Sequence, residues 1–225
     1  IAPPQPDIHA ALAALPRPRK HYQWYYSTPA ANAEMAHPKQ GLEQFLRAYF
    51  HMKSADWRDV SGAPLNRPHR LAGWTAEALA TMPTYYIMDA GQGMSETVAP
   101  HAPSAAQAAA CAWLSPRDLA VYAQEYGRTG FQGGLHWYRC QTSGRFQAEM
   151  ALFHGRPIDV PAIFIAGEAD WGLYQFPGAV EAMQAKAFAR MQAVHIVPGA
   201  GHWVQQEQPA AVVRLVLGFL SSAQP

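Results

Sequence analysis

The chain has 225 residues, 49% of them apolar and 15% charged, with a formal net charge of +1. That composition supplies ample material for a globular core, and a near-neutral balance without a basic block argues against nucleic acid as a partner. Cys111 and Cys140 are the only cysteines; they give no disulfide framework, no Cys-x-x-Cys pair and no zinc spacing, which fits a cytoplasmic protein with no structural metal.

The length suits one large domain or two small ones. No apolar run is long enough to span a membrane, because Arg214 and Gly218 interrupt the last candidate. The first residues, Ile1-Ala-Pro-Pro-Gln-Pro6, carry neither a basic segment nor an apolar one, so they do not read as a signal peptide. They also lack an initiator methionine, and the expectation is that the chain is the later part of something longer.

Taken in order, residues 1–20 are punctuated by Pro3, Pro4, Pro6, Pro16 and Pro18, with one short helix expected from Asp7 to Leu15. An aromatic cluster follows, His21 to Tyr26. Pro38 opens an amphipathic helix, in which Leu42, Phe45, Leu46, Tyr49 and Phe50 recur at helical spacing. Residues 54–104 are rich in Gly and Pro; a helix from Thr75 to Ala80 and a short apolar segment from Tyr85 to Met88 are expected there. Ser104 can cap the Ala-rich run that ends near Trp113. Ser115-Pro116-Arg-Asp118 is a helix start with Ser at the cap, Pro in the first turn and an acid three residues on, and Gly127 is the expected stop. After the Gly-rich turn 130–134 another helix begins at Leu135.

Beyond Asp159 the pattern changes. Pro161-Ala-Ile-Phe-Ile-Ala-Gly-Glu-Ala-Asp170 and Val194-His-Ile-Val-Pro-Gly-Ala-Gly-His202 are short apolar runs bounded by Pro and Gly, as in strands buried on both faces. A helical stretch, Phe176 to Met191, is expected between them, and a last helix from Pro209 to Leu220. Strand, helix, strand is the unit of a parallel sheet, whose ligands bind outside the carboxyl ends of the strands. Asp170 and His202 stand at that edge. A carboxylate there can fix a histidine tautomer and make the imidazole a general base. The same residues also fit a helix start and a loop position.

The expected organisation is a helical region over residues 1–155 and an α/β region over 156–225. Two parallel strands do not make a stable sheet, so the second region would pack beside strands from elsewhere. Exposed, its strand edge and helix face would promote association into oligomers.

Four segments resemble the cap domain and C-terminal part of an epoxide hydrolase of the α/β-hydrolase superfamily: Tyr22-Gln-Trp-Tyr-Tyr-Ser-Thr-Pro29; Tyr126-Gly-Arg-Thr-Gly-Phe-Gln-Gly-Gly-Leu-His-Trp-Tyr138-Arg; Ile165-Ala-Gly-Glu-Ala-Asp170-Trp; and Gly201-His202-Trp-Val-Gln-Gln206. The resemblance implies a partial α/β-hydrolase fold: a helical cap plus the last two parallel strands and helices of the sheet. It puts the catalytic acid at Asp170, the base at His202 and the two cap tyrosines at Tyr22 and Tyr138. It places Gln23, Trp171 and Trp203 at the substrate, a small apolar epoxide, and implies no metal and no organic cofactor. The bland reading of the tyrosines is aromatic packing.

No serine here lies in G-x-S-x-G, and Glu168 occupies the position two before Asp170, where a nucleophile elbow needs a small residue. The attacking group would therefore belong to a missing N-terminal half, and the chain would be inactive alone. Alternatives are another aspartate-nucleophile hydrolase, such as a dehalogenase, and a non-catalytic hydrolase-like binding fragment.

Overall fold

The structure is a computed structural model that describes residues 7–222; Pro3, Pro4 and Pro6 lie outside the described residues. In chain order its helices and strands are α1 (Ile8–Ala13), β1 (Arg19–His21), α2 (Tyr22–Ser27), α3 (Ala30–Ala36), α4 (Leu42–Met52), α5 (Ala76–Leu79), β2 (Ile87–Asp89), α6 (Met94–Val98), α7 (Ala105–Ala110), α8 (Pro116–Thr129), α9 (Gln132–Thr142), α10 (Gln147–Ala151), β3 (Ala162–Gly167), α11 (Ala179–Ala182), β4 (Met191–Val197), α12 (Val204–Glu207) and α13 (Pro209–Ser222). The chain forms two compact units. One comprises residues up to 52, 71–103 and 116–150; the other comprises 53–70, 104–115 and the stretch from 151 onward.

The first unit is helical. Asp7 caps α1 by accepting the amide of His9 at 2.9 Å. β1 runs antiparallel to β2, with His21 opposite Ile87, and Arg17 and Arg19 both bind the Asp89 carboxylate. In α4 the apolar spacing buries Phe45, Leu46 and Phe50, and this helix packs on α8. It starts at Leu42 rather than near Pro38, because Gly41 intervenes in a left-handed conformation at φ 83°. The stop of α8 also differs from expectation. Gly127 stays helical, and the turn comes at Gly130, φ 64°, where the Asn32 side chain accepts the amide of Phe131 at 2.8 Å. α9 consequently begins at Gln132, ahead of Leu135. α2 packs on α9, and this contact brings the two tyrosine-bearing segments together.

In the second unit β3 and β4 pair in parallel, from Ile163 opposite Ala193 to Gly167 opposite Val197. The connection between them is less regular than the sequence predicts. Instead of one helix over 176–191 there is a 3₁₀ turn at Trp171–Leu173, the single turn α11 and a π-helical turn at Met183–Ala187. Pro177 and left-handed Gly178 postpone the helix start, and Met191 already belongs to β4. Val197, Ala200 and Val204 form a buried cluster, against which Ile165, Ala211, Val212 and Leu215 pack.

Two glycines allow the strand ends to approach. A Cβ on Gly167 would collide with the carbonyl oxygens of Ala200 and Gly201, and one on Gly201 would lie 2.5 Å from the carbonyl oxygen of Lys53. Backbone therefore stacks on backbone at the carboxyl edge of the sheet.

Candidate active site

That stacking decides where Asp170 and His202 go. Asp170 follows β3 and caps the 3₁₀ turn, accepting the amide of Gly172 at 2.8 Å. His202 follows β4, and its own amide donates to the carbonyl of Lys53 at 2.9 Å. Its Nδ1 lies 3.1 and 3.2 Å from the two carboxylate oxygens of Asp170. Cap and acid are thus one side chain: the helix-start reading of Asp170 and the imidazole-partner reading both describe it.

The electrostatics follow from these contacts. Burial opposes ionisation of Asp170, but the bond from His202, the amide of Gly172 and the charge of Lys53 outweigh it and hold its carboxyl below the ordinary value. For His202, burial and then the Lys53 charge push the imidazole below its ordinary value, and Asp170 only partly offsets them. The ring is therefore neutral at pH 7. With an ionised acceptor at Nδ1, that nitrogen carries the proton and Nε2 keeps its lone pair. The His202 side chain is 37% exposed and Asp170 16%, so the ring remains reachable by water.

Trp171 is buried, and its indole N–H has no hydrogen-bond partner; its ring meets His69 edge-on at 4.9 Å. Trp203 stands against the His202 ring, centroids 4.9 Å apart, with Lys53 Nζ 5.6 Å from its centre.

In the first unit, the rings of Tyr22 and Tyr138 meet edge to face, with centroids 5.7 Å apart. Tyr26 sits 4.9 Å from Tyr138 and bonds Tyr49 through its hydroxyl at 3.1 Å. Burial, followed by the neighbouring Tyr22 and Tyr49, raises the Tyr138 phenol well above its ordinary value. It is a neutral donor over the whole physiological range, and a weaker acid than an exposed tyrosine. Gln23 Nε2 lies 3.4 Å from the Tyr22 hydroxyl. The predicted site residues thus form two groups, Tyr22, Tyr138 and Gln23 in one unit and Asp170, His202, Trp171 and Trp203 in the other.

Among the described residues, no cluster of three His, Cys, Asp or Glu side chains could hold a metal ion, and no helix is long and apolar enough to cross a membrane.

No protein-family profile matches the chain. Over 113 residues it is 39% identical to epoxide hydrolase A of Mycobacterium tuberculosis, covering 50% of this chain and 34% of that protein. Over 116 residues it is 34% identical to epoxide hydrolase 2 of Siraitia grosvenorii, covering 48% and 35%. Among solved structures, an epoxide hydrolase from an endophytic Streptomyces superposes with a TM-score of 0.69 at 26% identity, over 95% of this chain and 55% of that one. Potato (Solanum tuberosum) epoxide hydrolase I superposes at 0.63 and 26%, over 97% and 58%.

Over the parts covered, the chain is similar to epoxide hydrolases of the α/β-hydrolase fold. It spans about a third of these curated epoxide hydrolases and just over half of the solved ones. The small parallel sheet with its flanking helices is accordingly part of an α/β-hydrolase fold.

Sequence reasoning missed two residues of the second unit. Lys53, the residue after α4, acts electrostatically on both His202 and Asp170, yet nothing around it forms a motif. Glu207 lies five residues past His202 and accepts amides on both sides of it. Its position just beyond the matched Gly201–Gln206 string was the available signal.

Proposed function

We propose that this chain carries part of the machinery of an epoxide hydrolase acting on small apolar epoxides. An epoxide is a neutral strained ether, and its oxygen gains negative charge as a ring bond breaks. Tyr22 and Tyr138 donate hydrogen bonds to that oxygen, where buried donors are worth most. A carboxylate attacks one ring carbon, the carbon–oxygen bond breaks, and a phenol proton neutralises the alkoxide, leaving a hydroxyalkyl ester. His202, oriented by Asp170, then takes a proton from water as the hydroxide adds to the ester carbonyl. Collapse of that adduct returns the carboxylate and releases a vicinal diol, and the imidazolium gives its proton back to the phenolate through solvent, restoring both groups. The sum is epoxide plus water giving diol, with no cofactor.

The observation that carries the reading is a packed tyrosine pair and a carboxylate–imidazole couple in one chain similar to epoxide hydrolases. The attacking carboxylate is assigned to a polypeptide segment outside these 225 residues, since no elbow motif occurs within them. The 225 residues alone are expected to form no diol.

One observation favours a second reading. The buried, unpartnered indole N–H of Trp171 is the kind of donor that a departing halide needs, which suits an aspartate-nucleophile dehalogenase. The complete reading frame should be expressed and supplied separately with an aryl epoxide and a haloalkane. Diol without halide supports the first reading; halide release without diol replaces it with the second. Diol made by the 225 residues alone, and lost in His202→Ala, would overturn the assignment of the nucleophile.

A further inference from the structure

We infer that Glu207 is the positioning residue that holds His202 in register with Asp170. Glu207 ends α12, a helix of one turn. Its Oε1 accepts the amide of Trp203 at 3.1 Å, both oxygens lie 3.0 Å from the amide of Gly201, and Oε2 accepts the amide of Ala55 at 2.8 Å. Gly201 and Trp203 flank His202. The remaining amide, that of His202, donates to Lys53, two residues from Ala55. The three consecutive N–H groups from 201 to 203 are therefore all consumed by Glu207 and the 53–55 segment, and Glu207 ties that segment to the same loop.

This closed ring fixes the backbone from which the imidazole reaches Asp170. Gly201 has no room to adjust, because the Lys53 carbonyl and the Ser54 backbone lie within 3 Å of where its Cβ would be. In Glu207→Gln one oxygen remains to accept and an NH2 donor replaces the other, so at least one of the amides of Ala55, Gly201 and Trp203 loses its acceptor and faces a donor, and such groups recruit water or move. Either response displaces the ring. The groups that face His202 are Asp170 and Lys53, and Asp56 faces Glu207.

The inference rests on His202 being the base, and its test reads no turnover, so it stands or falls apart from the epoxide assay. The 225-residue chain is followed by NMR of its histidine rings, with His202 assigned by its loss in His202→Gln. In the parent chain the ring titrates below the ordinary value of about 6.5 and shows a strongly downfield Nδ1 proton. In Glu207→Gln the titration moves up toward about 6.5 and the downfield proton disappears. The control is Glu34→Gln, which deprives the amides of Met94 and Ser95 of their carboxylate in the other unit; it lowers Tm and leaves the His202 titration unmoved. An unchanged His202 titration in folded Glu207→Gln overturns the inference. If that variant does not fold, amide exchange in the parent chain decides. Slow exchange at Ala55, Gly201 and Trp203 supports the inference, and exchange at open-loop rates overturns it.

Discussion

At the scale of single residues, the two phenols and the imidazole separate by what acidity each requires. Tyr138 is a poorer acid than an exposed tyrosine because burial penalises its phenolate. In the proposed reaction its contribution would be a neutral hydrogen bond to the developing alkoxide. In the full-length epoxide hydrolase proposed above, Tyr138→Phe should lower kcat for ester formation on the order of 10²-fold, the usual loss for one donor to a developing oxyanion. Ester hydrolysis, which depends on His202, should be unaffected, and single-turnover kinetics separates the two steps.

A further titratable residue, His21, stacks on the Tyr22 ring and contributes to acid stability. It is fully buried, and its Nδ1 accepts the amide of Gln23 at 3.3 Å, capping α2. Burial and then His9 press its pKa from 6.5 down to about 4. The folded state thus resists a proton that the unfolded chain accepts. Above pH 6.5 this costs nothing; as pH falls from 6.5 toward 4, stability declines by up to about 3 kcal/mol. His21→Asn retains a cap acceptor and cannot titrate, so the dependence of Tm on pH in that window should flatten.

At the scale of elements, the fold is most legible where apolar periodicity is strong and least legible where a turn decides. The amphipathic face of α4, the Ser104 cap and the parallel strands β3 and β4 were readable, because each is a local pattern with a local cause. The end of α8 was not: Gly127 and Gly130 look alike in sequence, and Asn32, remote in the chain, selects the second. The 176–191 connection was misread because Ala and Met favour a helix locally, whereas Met191 is recruited by Ala162 of β3. Of the candidate site, the motif residues were visible; the bond of Glu207 to Ala55 and the placement of Lys53 beside His202 are long-range contacts that no spacing encodes.

Glycines give a direct test of that distinction. In Gly201→Ala the new methyl meets backbone at Lys53 and Ser54, which cannot rotate away. About 1–3 kcal/mol should be lost, with the His202–Asp170 bond broken. In Gly218→Ala the methyl meets nothing within 4 Å, and a helix interior prefers Ala by about 0.5–1 kcal/mol, so stability should rise. Thermal unfolding of the two variants measures opposite shifts.

At the scale of the whole molecule, the exposed surface carries information of its own. On α13, Val213, Val216, Leu217 and Leu220 are 38–58% exposed and stand at positions i, i+3, i+4 and i+7, a single helical stripe. The opposite face, with Val212 and Leu215, already packs against the cluster around Val197. A helix that is apolar on both faces belongs between two layers, and a β3–β4 sheet of only two strands is short of the usual number. Both features agree with a chain that spans only part of its relatives. Exposed apolar stripes drive association, so the 225 residues should sediment as oligomers whose size grows with concentration. Leu217→Lys combined with Val213→Lys should restore a monomer while leaving the unfolding free energy within about 1 kcal/mol of the parent, since neither side chain is buried. A parent chain that stays monomeric at high concentration would mean that the stripe is tolerated in water. The layered reading of α13 would then lose its support.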